Sequence, residues 1–240
     1  MTTLLVAHGT RNPHGVTMIG DLSALLARRL GEPVPVSFVD VLGPSPSDVL
    51  AGLPPERPVR VVPAFLARGH HVRVDIPAHV ERAGHPNVTI APALGPSPVL
   101  AQVLAERLAE AGLRPDDQIV LAAAGSSDPR AIADVGTVAT QLSLVVGAPV
   151  HPAFVAPPAD GSGFPAVDTV VARLQRCRSR RRGPARIVVA TYLLAAGLFS
   201  RRLEFCGADL VAEPLGLHPL VVDLAVERVT APAAQHVTAR

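Results

Sequence analysis

Apolar residues recur along this chain in two alternating rhythms. Continuous runs of strand length, residues 3–7, 34–39, 59–65 and 88–90, are separated by stretches with helical spacing, notably 16–30 and 98–111. A strand that alternates with a helix predicts a mostly parallel sheet with helices on both faces. After the turn at 112–117 the series restarts with a strand at 119–124 and a helix at 131–146. A strand at 150–155, a helix at 166–176, a strand at 187–194 and a closing helix at 219–229 follow. The expected fold class is α/β: two similar doubly wound domains, each with a mostly parallel four-stranded sheet, divided as 1–115 and 116–240.

The two halves repeat each other in detail. Laid over one another, residues 4–13 (LLVAHGTRNP) and 121–129 (LAAAGSSDP) match Gly9 with Gly125, Thr10 with Ser126, Asn12 with Asp128 and Pro13 with Pro129. His8 meets Ala124. Further on, Val61–Leu66 followed by Gly69-His70-His71 is echoed by Val188–Leu193 followed by Gly197-Leu198-Phe199. Self-similarity reports architecture before function, but here the turn residues are kept on both sides and the imidazoles on one. The first half, 1–115, is expected to carry the chemistry.

Composition narrows the classes. No apolar run reaches the roughly 18 residues that a spanning helix needs, and the start, MTTLLVAHGT, has no basic segment before its apolar run. A cytoplasmic protein is therefore expected, with no membrane partner. Cys177 and Cys206 form no CxxC pair, which argues against a zinc knuckle, an iron–sulfur cluster or a disulfide framework. The net charge is +2, with one tyrosine and no tryptophan, so neither a global basic field nor a stacking platform points to nucleic acid. The one charge run, Arg176 to Arg182 around Cys177, reads as a solvated loop or a polyanion contact.

Ligands of open parallel sheets bind beyond the carboxyl ends of the strands. His8 follows the first strand, Asp40 the second, and His71 the third, so three metal or proton ligands are expected at one edge. Each has a plainer reading. His8 can be a structural strand end beside a tight turn at Gly9. Asp40 can be a solvated acid. Asp75 either orients an imidazole, as carboxylates do for metal-bound histidines, or complements a helix dipole. His14 and His70 are expected in exposed loops.

The three motifs AHGTRNP at 7–13, FVDVLGPS at 38–45 and VVPAFLARGHHVRVDIP at 61–77 resemble the sirohydrochlorin chelatases of the CbiX/SirB group, class II chelatases. YLLAAGLFSRRL at 192–203 and LGLHPL at 215–220 extend the resemblance over nearly the whole chain in two-repeat form. The resemblance implies two chelatase-like domains facing each other across a cleft. It implies insertion of a divalent metal, Fe²⁺, Co²⁺ or Ni²⁺, into sirohydrochlorin, for sirohaem or cobalamin, with no organic cofactor. The family's metal-handling histidines fall on His8 and His71, and its acidic residue on Asp40, where glutamate is more usual. Neutral imidazole both ligates borderline divalent ions and accepts protons near neutral pH. Arg11, Arg68 and Arg73 are candidate clamps for the pigment's carboxylates. Gly9, Ala67 and Gly69 are candidates for close approach of a flat ring, and Thr10 is a further candidate for substrate binding.

Two other functions compete. The run HGTRN is similar to the RHGxTxxN signature of histidine phosphatases, but Ala7 stands where that chemistry needs an arginine. A chain of this kind can also serve as a tetrapyrrole or metal carrier without turnover. Since two repeats supply both halves of a cleft, a monomer is expected.

Overall fold

The computed structural model describes residues 1–178, 185–232 and 234–237. In chain order the elements are β1 (Thr2–Ala7), α1 (Pro13–Leu30), β2 (Val36–Phe38), α2 (Pro46–Ala51), β3 (Val59–Pro63), α3 (Ile76–Ala83), β4 (Val88–Ile90) and α4 (Pro98–Glu110). The repeat continues with β5 (Gln118–Ala123), α5 (Pro129–Val146), β6 (Val150–Phe154), α6 (Val167–Arg178), β7 (Ile187–Tyr192), α7 (Leu198–Leu203), β8 (Leu210–Val211), α8 (Pro219–Thr230) and β9 (Gln235–Val237). The short elements α2, α7, β8 and β9 lie outside the sequence expectation, because each is too brief to show a period.

The chain divides into two compact units, Met1–Gly95 with Pro219–Arg240, and Pro96–His218. The first holds a sheet in the order β2-β1-β3-β4-β9, parallel except for β9, which pairs antiparallel to β4. All of β1 is buried, and its period of two sends Leu4 and Val6 to one face with Val61, Ile90, Leu50, Ile76 and Val80. On α1, Ile19, Leu22 and Leu26 are buried at helical spacing. Burying each such side chain contributes about 1.5–3 kcal/mol. The second unit has the parallel order β6-β5-β7-β8. There Val120 and Ala122 of β5 and Ile187 and Val189 of β7 meet Val167, Val170, Val171 and Leu174 of α6.

These units do not coincide with a cut at residue 115, the division into 1–115 and 116–240. Helix α4, which closes the first sequence repeat, packs on α5 and β7, with Arg107 donating to the Leu215 carbonyl (3.3 Å) and Glu106 paired to His218 (3.0 Å). Helix α8, which closes the second repeat, packs on α1 and β3. Buried Arg60 of β3 donates to the carbonyls of Arg228 and Ala231, and Arg228 donates to that of Ala93 (3.0 Å). The repeat is a property of local sequence, whereas compactness follows where an apolar helix stripe is buried. No helix among the described residues is long and apolar enough to cross a membrane.

Candidate functional site

The first strand ends in a turn whose every residue has a structural task. Gly9 sits at φ 97°, and a Cβ there would run into the Asp40 carbonyl oxygen. Asp40 N–H donates to the His8 carbonyl (3.0 Å), so β1 and the segment after β2 are in close register at this point. Thr10 Oγ1 accepts from Asn12 N–H (3.1 Å), Asn12 Oδ1 accepts from His14 N–H (2.9 Å), and Pro13 opens α1. An asparagine cap before a proline at the first helical position satisfies orphan donors where the ring costs none. The result is an exposed His8 held on a fixed backbone.

His71 arrives from the far side of β3. The segment His71–Asp75 forms a single π turn, with Ile76 N–H donating to the His71 carbonyl, and leads directly into α3. Such wide turns are rare and concentrate at functional sites. The turn places the His8 and His71 rings edge to face at 87°, with centroids 4.6 Å apart. Phe65 lies 6.1 Å from His71 on the same side. Asp75, one turn later, faces both neighbouring imidazoles: Oδ2 is 2.6 Å from His71 Nδ1, and Oδ1 is 3.5 Å from His70 Nε2. No side-chain cap bond is made by Asp75 at the start of α3. Its contacts are those of an orienting carboxylate.

The hydrogen bonds select the tautomers. His8 Nδ1 lies 3.0 Å from the Gly9 carbonyl oxygen, which can only accept, so Nδ1 carries the proton and Nε2 the lone pair. His71 Nδ1 donates to the Asp75 carboxylate, which leaves Nε2 as its lone pair as well. The two imidazoles therefore each offer one nitrogen donor.

The second unit keeps this frame and lacks the donors. Gly125, at φ 125°, would meet the Ala156 carbonyl, and Ala156 N–H donates to the Ala124 carbonyl (2.9 Å). Ser126 Oγ accepts from Asp128 N–H (3.1 Å), and Asp128 Oδ1 from Arg130 N–H (2.9 Å). Ala124, Ala156 and Phe199 thus take the places of His8, Asp40 and His71. An ordinary α-helical turn, α7, replaces the π turn.

A profile of the CbiX family matches residues 2–111 and again 118–231. The chain belongs to the CbiX family. It is 36% identical over 77 residues to the sirohydrochlorin cobaltochelatase of Methanothermobacter thermautotrophicus, which is 31% of this chain and 53% of that protein. The chain thus matches about half the length of that curated relative. In fold it is similar to SirB from Bacillus subtilis with Fe³⁺, with TM-score 0.80, 22% identity and coverage of 98% of this chain and 96% of that one. It is also similar to a CbiX described as the terminal enzyme for biosynthesis of siroheme in denitrifying bacteria, with TM-score 0.66, 20% identity and coverage of 96% and 98%.

In this CbiX chain the remaining candidates are placed less simply than the histidines. Asp40 is exposed, and its Oδ1 accepts from Val41 N–H (2.7 Å). Leu42 N–H donates to the Asp40 carbonyl (2.7 Å), closing a γ-turn around Val41 at φ 68°. A β-branched residue there is strained by about 1–3 kcal/mol. Among the described residues, no group of three His, Cys, Asp or Glu side chains is close enough to hold a metal. The structure therefore assembles two of the three expected ligands and turns the third toward its own backbone. Arg11 and Arg68 are exposed, Arg73 sits half-buried in the π turn, and Thr10 is engaged in the Asn12 turn. Most of the basic run around Cys177, residues 179–182, lies outside the described residues; Cys177 itself is exposed.

Three features escaped the sequence. A strained valine has no compositional signature. The π turn spans only five residues, too few for its longer period to show in the apolar pattern. His79, which shares a hydrogen bond with Ser47 across α3 and α2 (3.1 Å), becomes visible only once those helices pack. Burial, together with Arg82, holds its pKa below the ordinary histidine value.

Proposed function

We propose that this protein is a sirohydrochlorin chelatase, which takes a divalent metal, Fe²⁺ first and Co²⁺ next, and inserts it into the macrocycle. The observation that carries this reading is the His8–His71 pair with both Nε2 lone pairs uncommitted. Nitrogen donors of this kind suit Fe²⁺, Co²⁺ and Ni²⁺ alike. The CbiX profile and the chelatase relatives support the same assignment.

Insertion exchanges one dication for two pyrrole N–H protons. Two imidazoles match that stoichiometry: each Nε2 that releases the metal regains a lone pair, and each lone pair accepts one proton. Asp75 holds His71 through Nδ1–H and so keeps its Nε2 as the free donor atom. Asp40, exposed and with one carboxylate oxygen not engaged by the Val41 N–H, joins as a third ligand by swinging its side chain toward the histidines. Arg11, Arg68 and Arg73 pair with the pigment's carboxylates, while Gly9 and Thr10, in the turn that carries His8, contact the ring. The reaction takes place in the cytoplasm, in a monomer, without an organic cofactor.

The test is an anaerobic absorbance assay of sirohydrochlorin with Fe²⁺, Co²⁺ and Ni²⁺ in turn. Insertion well above the spontaneous rate is expected, and its loss in both His8→Ala and His71→Ala. Pigment binding without acceleration by any ion overturns the enzyme and leaves a carrier.

A further inference from the structure

His70 takes no part in the chemistry derived above, yet it stands beside it. Its side chain is 68% exposed at the entrance to the π turn, and its ring centroid lies 6.4 Å from that of His71. One carboxylate serves both imidazoles. Asp75 Oδ2 is committed to His71 Nδ1 at 2.6 Å, whereas Oδ1 faces His70 Nε2 at 3.5 Å. The second distance is too long for a good charge-assisted hydrogen bond, which closes to about 2.7–2.9 Å. It matches the bite of two ligands on one cation. Bonds of about 2.1 Å, as to zinc, set two donor atoms about 3.0 Å apart at a right angle and about 3.4 Å apart at the tetrahedral angle.

The second repeat drops this pair together with the metal histidines. Counting on from Gly69 and Gly197, His70, His71 and Asp75 correspond to Leu198, Phe199 and buried Leu203. A strand and a following helix form there without either group, so neither is needed to build the frame. We infer that His70 Nε2 and Asp75 Oδ1 form an outer loading site, which takes a divalent cation from solvent and passes it inward to His71 and His8. The inference rests on the chelatase reading and adds a residue to it. Imidazole with carboxylate accepts the same divalent ions as the inner pair. Two protein ligands leave most of the ion's waters in place, so the cation is held weakly and released readily, as transit requires. Exchange of two waters for His70 and Asp75, and then of further ones for the Nε2 atoms of His71 and His8, divides the dehydration of the cation into steps. Asp75 keeps Oδ2 on His71 throughout, so the inner nitrogen stays aimed while the outer ligands let go.

The experiment titrates the metal-free protein with Co²⁺ alone, followed by its d–d absorbance, and measures insertion rates against Co²⁺ concentration at fixed sirohydrochlorin. Wild type is compared with His70→Ala, His70→Glu and His14→Asn, the last a control at another exposed histidine. Wild type is expected to take up Co²⁺ in two steps, the second weaker. His70→Ala should lose the weaker step, keep the far-UV circular dichroism spectrum, and raise KM for Co²⁺ about tenfold, the order lost with one outer partner of a metal, while kcat changes by less than about twofold. His70→Glu returns a ligand and should recover the weaker step; His14→Asn should retain both. Two steps and an unchanged KM in His70→Ala, or a single step in a wild type that inserts metal, overturn the loading site and leave the chelatase standing. Loss of the weaker step with KM unchanged places the pair off the path and overturns its loading role, as does loss of that step in His14→Asn. Two steps without insertion overturn the chelatase and leave His70 and Asp75 as a metal site. A wild type that binds no Co²⁺ overturns both.

Discussion

Gly9→Ala and Gly125→Ala form a matched pair of perturbations, because the two turns share a geometry and differ in what they carry. At φ 97° and 125° an L-residue lies outside the common left-handed basin, which costs about 1–3 kcal/mol. In each case the new methyl also meets a carbonyl oxygen, of Asp40 or of Ala156. Backbone has to move, and the hydrogen bond that joins the two loops, Asp40 N–H to the His8 carbonyl or Ala156 N–H to that of Ala124, is weakened by about 1 kcal/mol. A loss of about 3 kcal/mol is expected for each variant, read as a lowered urea midpoint at unchanged slope. The catalytic consequences should diverge. Moving Gly9 moves His8 away from His71, so kcat for metal insertion should fall by at least about 100-fold, whereas Gly125→Ala should leave kcat within about threefold of wild type. A Gly9→Ala midpoint equal to wild type refutes the steric reasoning. An equal kcat loss in both variants refutes the assignment of metal chemistry to the first repeat.

Asp75→Ala removes the carboxylate that accepts from His71 Nδ1–H, so His71 no longer has a reason to keep its proton on Nδ1. Co²⁺ affinity should drop about 10–100-fold, with an unchanged far-UV circular dichroism spectrum; retained affinity would show that Asp75 does not set the tautomer. Arg186→Met takes from Asp117, whose side chain is 3% exposed, its partner at 2.6 Å and leaves it the Arg114 N–H; the urea midpoint should fall, and an unchanged midpoint would mean that Arg114 N–H and water suffice for Asp117. His79 and His151 are both held below the ordinary histidine pKa, chiefly by burial and next by Arg82 and Arg173 respectively. The unfolded chain therefore binds more protons as pH falls below about 6.5, and stability should decline with acidification from there toward the depressed folded values. The double variant His79→Asn with His151→Asn should flatten that decline in melts between pH 7 and 5, and a slope as steep as wild type would assign it elsewhere.

By itself, the amino-acid sequence determined whatever a few neighbouring residues can encode. Runs of Val, Leu and Ile set the strand and helix rhythm, and the Gly9-Thr10-Arg11-Asn12-Pro13 and Gly125-Ser126-Ser127-Asp128-Pro129 turns declared their dihedrals and caps locally. The carboxyl ends of β1 and β3 placed His8 and His71 on one sheet edge, since parallel strands share a direction. Tertiary structure decided everything that needs distant residues to meet. Helices α4 and α8 carry equally good apolar stripes for either sheet, so only packing chose α5 and β7 for one and α1 and β3 for the other. β9 pairs with β4 across nearly 150 residues, which no local period foretells. The lone pairs of His8 and His71 were settled by acceptors at fixed distances, and Asp40 accepts from Val41 N–H in a γ-turn that lies against Gly9. Local preferences are written residue by residue; the donors that meet, and the tautomers in which they meet, depend on where the folded backbone brings them.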